Sequence, residues 1–220
     1  MPNYAIIGAS GLIGGHLIDE LLLLDQTTIT IFTRRPLAFT DKRIKEVILD
    51  FSNQVSLNTH LADFDAVFIT VGTTQKKVNG NLEAYRQVDF NIPIMVATAC
   101  SINKIDRLLI VSSVGANAKS NNFYLQLKGQ VEEYITSLPI SYVGIFQPSL
   151  LLGKRNEFRL GERIAQFMLP LFSFLMPSQY KPISALLVAK AMISQAETKQ
   201  KGVQRFTFRK IITYSTLKSE

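Results

Sequence analysis

At 220 residues the chain is long enough to close a full α/β core, and its 47% hydrophobic content is that of an ordinary globular protein. A single cysteine, Cys100, excludes an internal disulfide framework and fits a reducing, cytoplasmic setting. The net charge of +7 admits a nucleic-acid partner, but Lys and Arg are spread along the chain without a nucleic-acid-binding motif, so none is expected.

The first strand reads Asn3–Ile7 and starts almost at Met1, which leaves no room for a signal peptide. It runs into Gly8-Ala9-Ser10-Gly11-Leu12-Ile13-Gly14 and then a helix over Leu12–Leu24, with Leu17, Ile18, Leu21 and Leu22 at helical spacing. Glycines three apart between a strand and a helix are what a dinucleotide requires. One makes the tight turn, one lets backbone approach the pyrophosphate, and one lets the helix lie close on the strand. The free N–H groups that open the helix, at Leu12 and Ile13, offer a positive dipole end to phosphate, and Ser10 adds a hydroxyl.

The second strand, Thr28–Phe32, is followed by Thr33-Arg34-Arg35-Pro36. A site for NAD places Asp or Glu here to bond the ribose hydroxyls, and no acid lies between Ile31 and Thr40. Guanidinium groups bind a 2′-phosphate through charge-assisted, often bidentate bonds, so Arg34 and Arg35 predict NADP(H) over NAD(H). Lys42, Arg43 and Lys45 continue that basic cluster. The third strand, Glu46–Leu49, ends at Asp50-Phe51, where the carboxylate is placed to accept the adenine amino group or else to cap the following turn. The fourth, Ala66–Thr70, ends in Val71-Gly72-Thr73-Thr74, where Gly72 lets backbone pass close to adenosine. Helices over Glu83–Ala99, Phe123–Ser137 and Ser184–Gln195 alternate with strands over Arg107–Ser112, Ser141–Gln147 and Gln204–Phe208. This alternation predicts an α/β fold, a doubly wound parallel sheet with its ligand beyond the C-terminal ends of the strands. Cys100, beside Ala97, Thr98 and Ala99 on a helix, reads as a buried inert thiol. His16 and His60 lie apart without ligand spacing, so no metal site is expected.

The fifth strand ends Ser112-Ser113, and Tyr124 and Lys128 follow on a helix, four residues apart and so on one face. A phenol's free pKa, near ~10, is too high for proton transfer at neutral pH, and a nearby ammonium favours phenolate. Tyr124 is therefore the candidate acid/base, with Lys128 tuning it and holding the nicotinamide ribose. Ser113, farther beyond the strand, is the candidate donor to a developing alkoxide, and Ser112 is taken on the cofactor side. A second Tyr–Lys pair, Tyr214 and Lys218, has no serine-ended strand feeding it and is assigned no chemistry.

Together these residues resemble the short-chain dehydrogenase/reductase superfamily. Gly8-x-x-Gly11-x-x-Gly14 looks like its extended and atypical members. Val71-Gly72-Thr73-Thr74, Tyr124-Leu125-Gln126-Leu127-Lys128-Gly129 and Gln147-Pro148-Ser149-Leu150-Leu151-Leu152-Gly153 resemble the small branch of Tat-interacting-protein-like oxidoreductases. The resemblance implies a single-domain Rossmann fold that binds NADPH, with Ser113, Tyr124 and Lys128 as triad and Pro148, Ser149 and Leu150 beside the nicotinamide carboxamide. Where such enzymes often carry an Asn after the fourth strand, this chain has Asp89, with Asn91 nearby. Its loop from Ser113 to Tyr124 is also short.

After Gly153, Ile164, Phe167, Met168, Leu171, Phe172 and Leu175 form an apolar stripe interrupted by Pro170. It is too short for a membrane span and is read as part of a substrate cap over about 154–182 on one domain of 1–220. The basic C-terminal residues Lys199, Lys201, Arg205, Arg209 and Lys210 read as a solvated face. The reading is an NADPH-dependent oxidoreductase that reduces a small or lipophilic carbonyl, or oxidises the alcohol, by hydride transfer. The alternative is a non-catalytic NADPH-binding sensor, regulatory or assembly protein on the same fold. A homodimer or protein partner is left open.

Overall fold

The computed structural model describes residues 1–153 and 177–216. Its centre is a parallel sheet of β1 (Asn3–Ile7), β2 (Thr28–Thr33), β3 (Ile44–Ile48), β4 (Ala66–Ile69), β5 (Arg107–Val111), β6 (Tyr142–Phe146) and β9 (Gly202–Phe206). The order across the sheet is β3-β2-β1-β4-β5-β6-β9, the expected doubly wound arrangement. The chain builds outward from β1 in one direction, then returns to β4 and builds in the other. The switch falls between β1 and β4, so the crevice at the C-terminal edge opens there.

Strand alternation divides the core between the two faces of the sheet. Tyr4 and Ile6 of β1 join one buried cluster with α1 (Leu12–Leu21), α6 (Ala185–Ala196) and α7 (Phe208–Thr216). Ala5 and Ile7 join the other, with α2 (Gln54–His60), α4 (Ile92–Ile102) and α5 (Phe123–Ser137). Cys100 is fully buried in that second cluster, and burial pushes its thiol pKa up. A small second sheet pairs β7 (Leu151–Leu152) with β8 (Ile183–Ser184). The apolar stripe from Ile164 to Leu175 and Lys218 lie outside the described residues. Among these residues no helix is long and apolar enough to cross a membrane.

Several elements depart from the sequence reading: β3 begins at Ile44 rather than Glu46, α1 ends at Leu21 rather than Leu24, and α2 has no counterpart in it. The last strand is Gly202–Phe206, two residues earlier than expected, and Phe208 begins α7 instead. The run Phe208–Thr216 is rich in aromatic and β-branched residues, which carry no helical preference of their own. It is helical because Ile211 and Tyr214 pack inward, with Tyr214 edge-on to Phe206 at 5.5 Å. The helix expected over Glu83–Ala99 is three segments: α3 (Leu82–Arg86), a π-helical turn over Gln87–Asn91, and α4. Pro93 accounts for the turn. It has no N–H to give the carbonyl four residues back, that of Asp89, and its ring crowds that carbonyl. Ile92 N–H bonds Gln87 O, five residues back, instead.

Gly8 closes the switch point. Its φ is +103°, and a Cβ there would stand 2.7 Å from the Thr70 and Val71 backbone. Gly14 serves the helix, since a Cβ would run into the Gly8 carbonyl. Gly8→Ala therefore combines a disfavoured φ with overpacking against backbone. It is expected to lower stability by at least about 2 kcal/mol, or roughly 4–8 °C in Tm, measured by thermal unfolding.

Candidate nucleotide and active-site cleft

A cleft of about 350 Å³ opens at the switch point. One side is Gly11, Leu12 and Ile13, the start of α1. Gly11 N–H bonds Gly8 O at 2.9 Å, which sets the turn. The start of α1 has no side-chain cap and no acid in its first turn, so its N–H groups and dipole end remain for an anion. The facing rim is Thr70 to Thr74. Thr70 Oγ1 donates to Ile7 O at 3.1 Å and to Gly8 O at 3.2 Å, pinning β4 to the glycine turn.

The floor comes from α5, capped by Asn122, whose side chain accepts from Leu125 N–H. Tyr124 and Lys128 both line the cleft from one face of this helix. Lys128 Nζ stands 5.9 Å from the Tyr124 ring centre and 3.0 Å from Asp89 Oδ1. The Lys128 side chain is 6% exposed and that of Asp89 1%. Burial, the largest single influence, pulls the Lys128 ammonium down, but Asp89, Tyr124 and Glu132 together outweigh it and the net shift is upward, so the lysine stays charged. Asp89 Oδ2 accepts Thr73 N–H at 2.8 Å, tying the rim after β4 to the floor. Gly129 lets α5 press on the backbone of Asn117 and Ala118, where any Cβ would collide. Tyr85 walls the cleft, edge-on to Phe123 at 5.9 Å and to Tyr124 at 6.5 Å.

The two serines after β5 divide differently from the sequence expectation. Ser112 N–H still bonds Phe146 O at 2.7 Å, and Ser112 lines the cleft. Ser113 does not line it, and its hydroxyl donates to Val114 O at 3.3 Å. Being farther past the strand carries Ser113 off the cleft, because the chain is already turning away. Ser112 Oγ donates to Glu132 Oε1 at 2.5 Å. Glu132 also accepts from Gln147 Nε2 at 2.9 Å and from Arg205 Nε at 3.1 Å. Sequence reasoning missed Glu132, although it continues the spacing of four from Tyr124 and Lys128. Pro148, Ser149 and Leu150 form the remaining wall. Pro148 O accepts Val114 N–H at 3.0 Å, Leu150 O accepts Ile183 N–H at 2.9 Å, and Ser149 Oγ donates to Lys181 O.

Toward the β2 and β3 ends the surface is more open. Arg34 and Arg35 are exposed, and Arg34, Arg35, Ser10, Asp50 and Phe51 do not line the enclosed cleft. Asp50 caps its own turn: Ser52 N–H and the Ser52 hydroxyl bond its carboxylate and hold it below the usual carboxylate range. Phe51 is buried in the core. Arg43 pairs with Asp41 at 3.0 Å and bonds Leu22 O, which assigns it a structural role. In the basic C-terminal region Lys199, Lys201, Arg205, Arg209 and Lys210 are all exposed, and Arg205 also pairs with the buried Glu132. No group of His, Cys, Asp and Glu among the described residues is placed to hold a metal. A pyridine dinucleotide fits this edge: the glycine approaches leave room for its backbone contacts, and the uncapped helix start would receive its phosphates.

Asp89→Asn leaves a buried ammonium without its counter-charge. It is expected to cost about 3–5 kcal/mol in chemical denaturation, with much of that loss recovered in the Asp89→Asn, Lys128→Met double variant.

A family model described as NAD(P)H-binding matches residues 8–170. The chain is 30% identical over 173 residues to the mitochondrial protein fmp52 of Emericella nidulans, covering 76% of this chain and 74% of that protein. It is 29% identical over 165 residues to Protein HTATIP2 of Rattus norvegicus, covering 73% of this chain and 67% of that protein. Among solved structures, the Bordetella bronchiseptica enzyme WbmH in complex with NAD+ matches with a TM-score of 0.73 at 16% identity, over 94% of this chain and 76% of that one, a likeness of fold. The fungal relatives are named as mitochondrial proteins, which overturns the expectation of a cytoplasmic setting drawn from one cysteine. A lone buried thiol is equally at home in any reducing compartment. The chain belongs to the NAD(P)H-binding family, on the atypical short-chain dehydrogenase/reductase branch.

Proposed function

We propose that the protein is an NADP(H)-dependent oxidoreductase acting on a small or lipophilic carbonyl or the corresponding alcohol. The observation that carries this reading is Tyr124 and Lys128 on one face of α5 at the floor of a cleft whose opposite wall is the glycine turn. A nicotinamide dinucleotide bound along that edge supplies or takes the hydride. Tyr124 gives its phenolic proton to the carbonyl oxygen during reduction and takes the alcohol proton in reverse. Lys128 stabilises the phenolate through its charge, and Asp89 keeps that ammonium in place. Ser112, not Ser113, is the serine that meets the ligand. The hydrophobic faces of Leu12, Tyr85, Val111 and Leu150 favour an apolar substrate body. Residues 154–182 of this one-domain chain are read as its cap.

NADP(H) is preferred over NAD(H) because the end of β2 carries Arg34 and Arg35, both exposed, and no acid. The mitochondrial names of the fungal relatives support that organelle as the site of action. A second reading, a non-catalytic NADPH-binding sensor or assembly protein, draws on one observation: Asp89 already neutralises Lys128.

Calorimetry is expected to give NADPH a Kd at least about tenfold below that of NADH, and alanine at both Arg34 and Arg35 should narrow the gap. A preference for NADH would remove the assignment. In a screen of aldehydes and ketones, Tyr124→Phe is expected to lose about 10²–10⁴-fold in kcat while NADPH affinity stays within about twofold. Tight NADPH binding with no turnover across the panel would favour the sensor.

A further inference from the structure

We infer that Glu132 is a positioning residue that accepts the hydroxyl hydrogen bond of Ser112, so that Ser112 meets the cleft as a hydrogen-bond acceptor and selects ligands presenting a hydroxyl over their carbonyl counterparts. The inference rests on the reading of the cleft as a substrate site.

Donors and acceptors around Glu132 can be counted. The Glu132 side chain is 6% exposed, and three groups converge on it. Arg205 Nε at 3.1 Å and Gln147 Nε2 at 2.9 Å can only donate. The carboxylate is thus an acceptor for both, and the guanidinium supplies its counter-charge. The third group, Ser112 Oγ at 2.5 Å, has one proton and two lone pairs. At that separation two oxygens without a shared proton would repel, so the serine donates. A bond this short to a carboxylate is charge-assisted and roughly twice as strong as one to a neutral carbonyl. Turning the proton outward to a substrate carbonyl would exchange the stronger bond for the weaker. What Ser112 offers to the cleft is therefore a lone pair. A carbonyl oxygen, which has only lone pairs, finds no partner there, whereas a hydroxyl donates to it.

The neighbouring groups support this assignment. Lys128, one helical turn before Glu132, is held by Asp89 at 3.0 Å. The Ser112 backbone is anchored through its own N–H to Phe146 O at 2.7 Å, and its side chain is held by the bond to Glu132.

The test uses Tyr124→Phe protein, in which turnover is slow on the timescale of the titration, with and without NADP+. Ligand-observed NMR titrations compare 1-phenylethanol with acetophenone, a pair that differs in whether the oxygen carries a proton. The alcohol is expected to bind at least about fivefold more tightly. Ser112→Ala on this background leaves Glu132 with two donors and should bring the two probes within about twofold. Glu132→Met frees the Ser112 proton and should move the preference toward the ketone. Equal or tighter ketone binding in the parent, no binding of either probe, or an alcohol preference that survives Ser112→Ala would each overturn the inference. Failure of NADP+ to bind, read separately by calorimetry, would instead remove the oxidoreductase reading, and the nucleotide-free titration still reads Ser112.

Discussion

A lysine ammonium buried against a parallel sheet needs a carboxylate beside it, because an unpaired buried charge costs several kcal/mol. Lys128 and Asp89 meet that demand, and much of the cleft depends on it. Asp89 reaches Lys128 from the π-helical turn and holds Thr73 N–H with its second oxygen. One ion pair therefore fixes the rim after β4, the bulged helix and the floor of α5 relative to one another. The bulge is part of the device. An added residue in a turn rotates the helix on its N-terminal side by about 100° relative to the helix on its C-terminal side. Pro93 dictates that rotation at the position where the carboxylate is required.

The polar stripe on α5 extends the same logic. Tyr124, Lys128 and Glu132 succeed one another at intervals of one turn, while Leu127, Val131 and Ile135 are buried beside them. Charges alternate along the row: Asp89 pairs with Lys128, and Glu132 pairs with Arg205. Each carboxylate also holds one group at the cleft surface, the Thr73 N–H or the Ser112 hydroxyl. The interior row is thus balanced in charge, and its effect on a ligand is directional. It fixes which surface atoms carry protons.

Much of this arrangement is legible in local sequence. Gly8, Gly11 and Gly14 between a strand and a helix encode the turn, because backbone collisions at Gly8 and Gly14 admit no other residue. The spacing of Tyr124 and Lys128 encodes a shared helix face. What escapes a local reading is pairing over distance. Arg205 lies 73 residues from Glu132, and Gln147 lies 15. No pattern near either marks the contact. The choice between Ser112 and Ser113 turns on where the chain bends after β5, set by bonds from Ser112 to Phe146 and from Val114 to Pro148. Asp50 suits either a ligand contact or a turn cap by its position alone, and the nearby Ser52 makes the cap the easier use of its carboxylate.

The two ends of the crevice also obey different electrostatics. Arg34 and Arg35 stand in water at the end of β2, where the field of a charge falls off over about 8 Å at physiological salt. Recognition of a 2′-phosphate there would weaken as ionic strength rises. The Lys128–Asp89 pair is withdrawn from solvent, and added salt screens it far less, whereas Glu132 is buried but its partner Arg205 is half exposed. On the proposed reading, cofactor choice and proton placement would therefore rest on separate sets of charges. Substitutions at the β2 end can alter which dinucleotide binds without disturbing the row beneath Tyr124. A change at Asp89 or Glu132, by contrast, is transmitted to Lys128 or Ser112 through direct bonds.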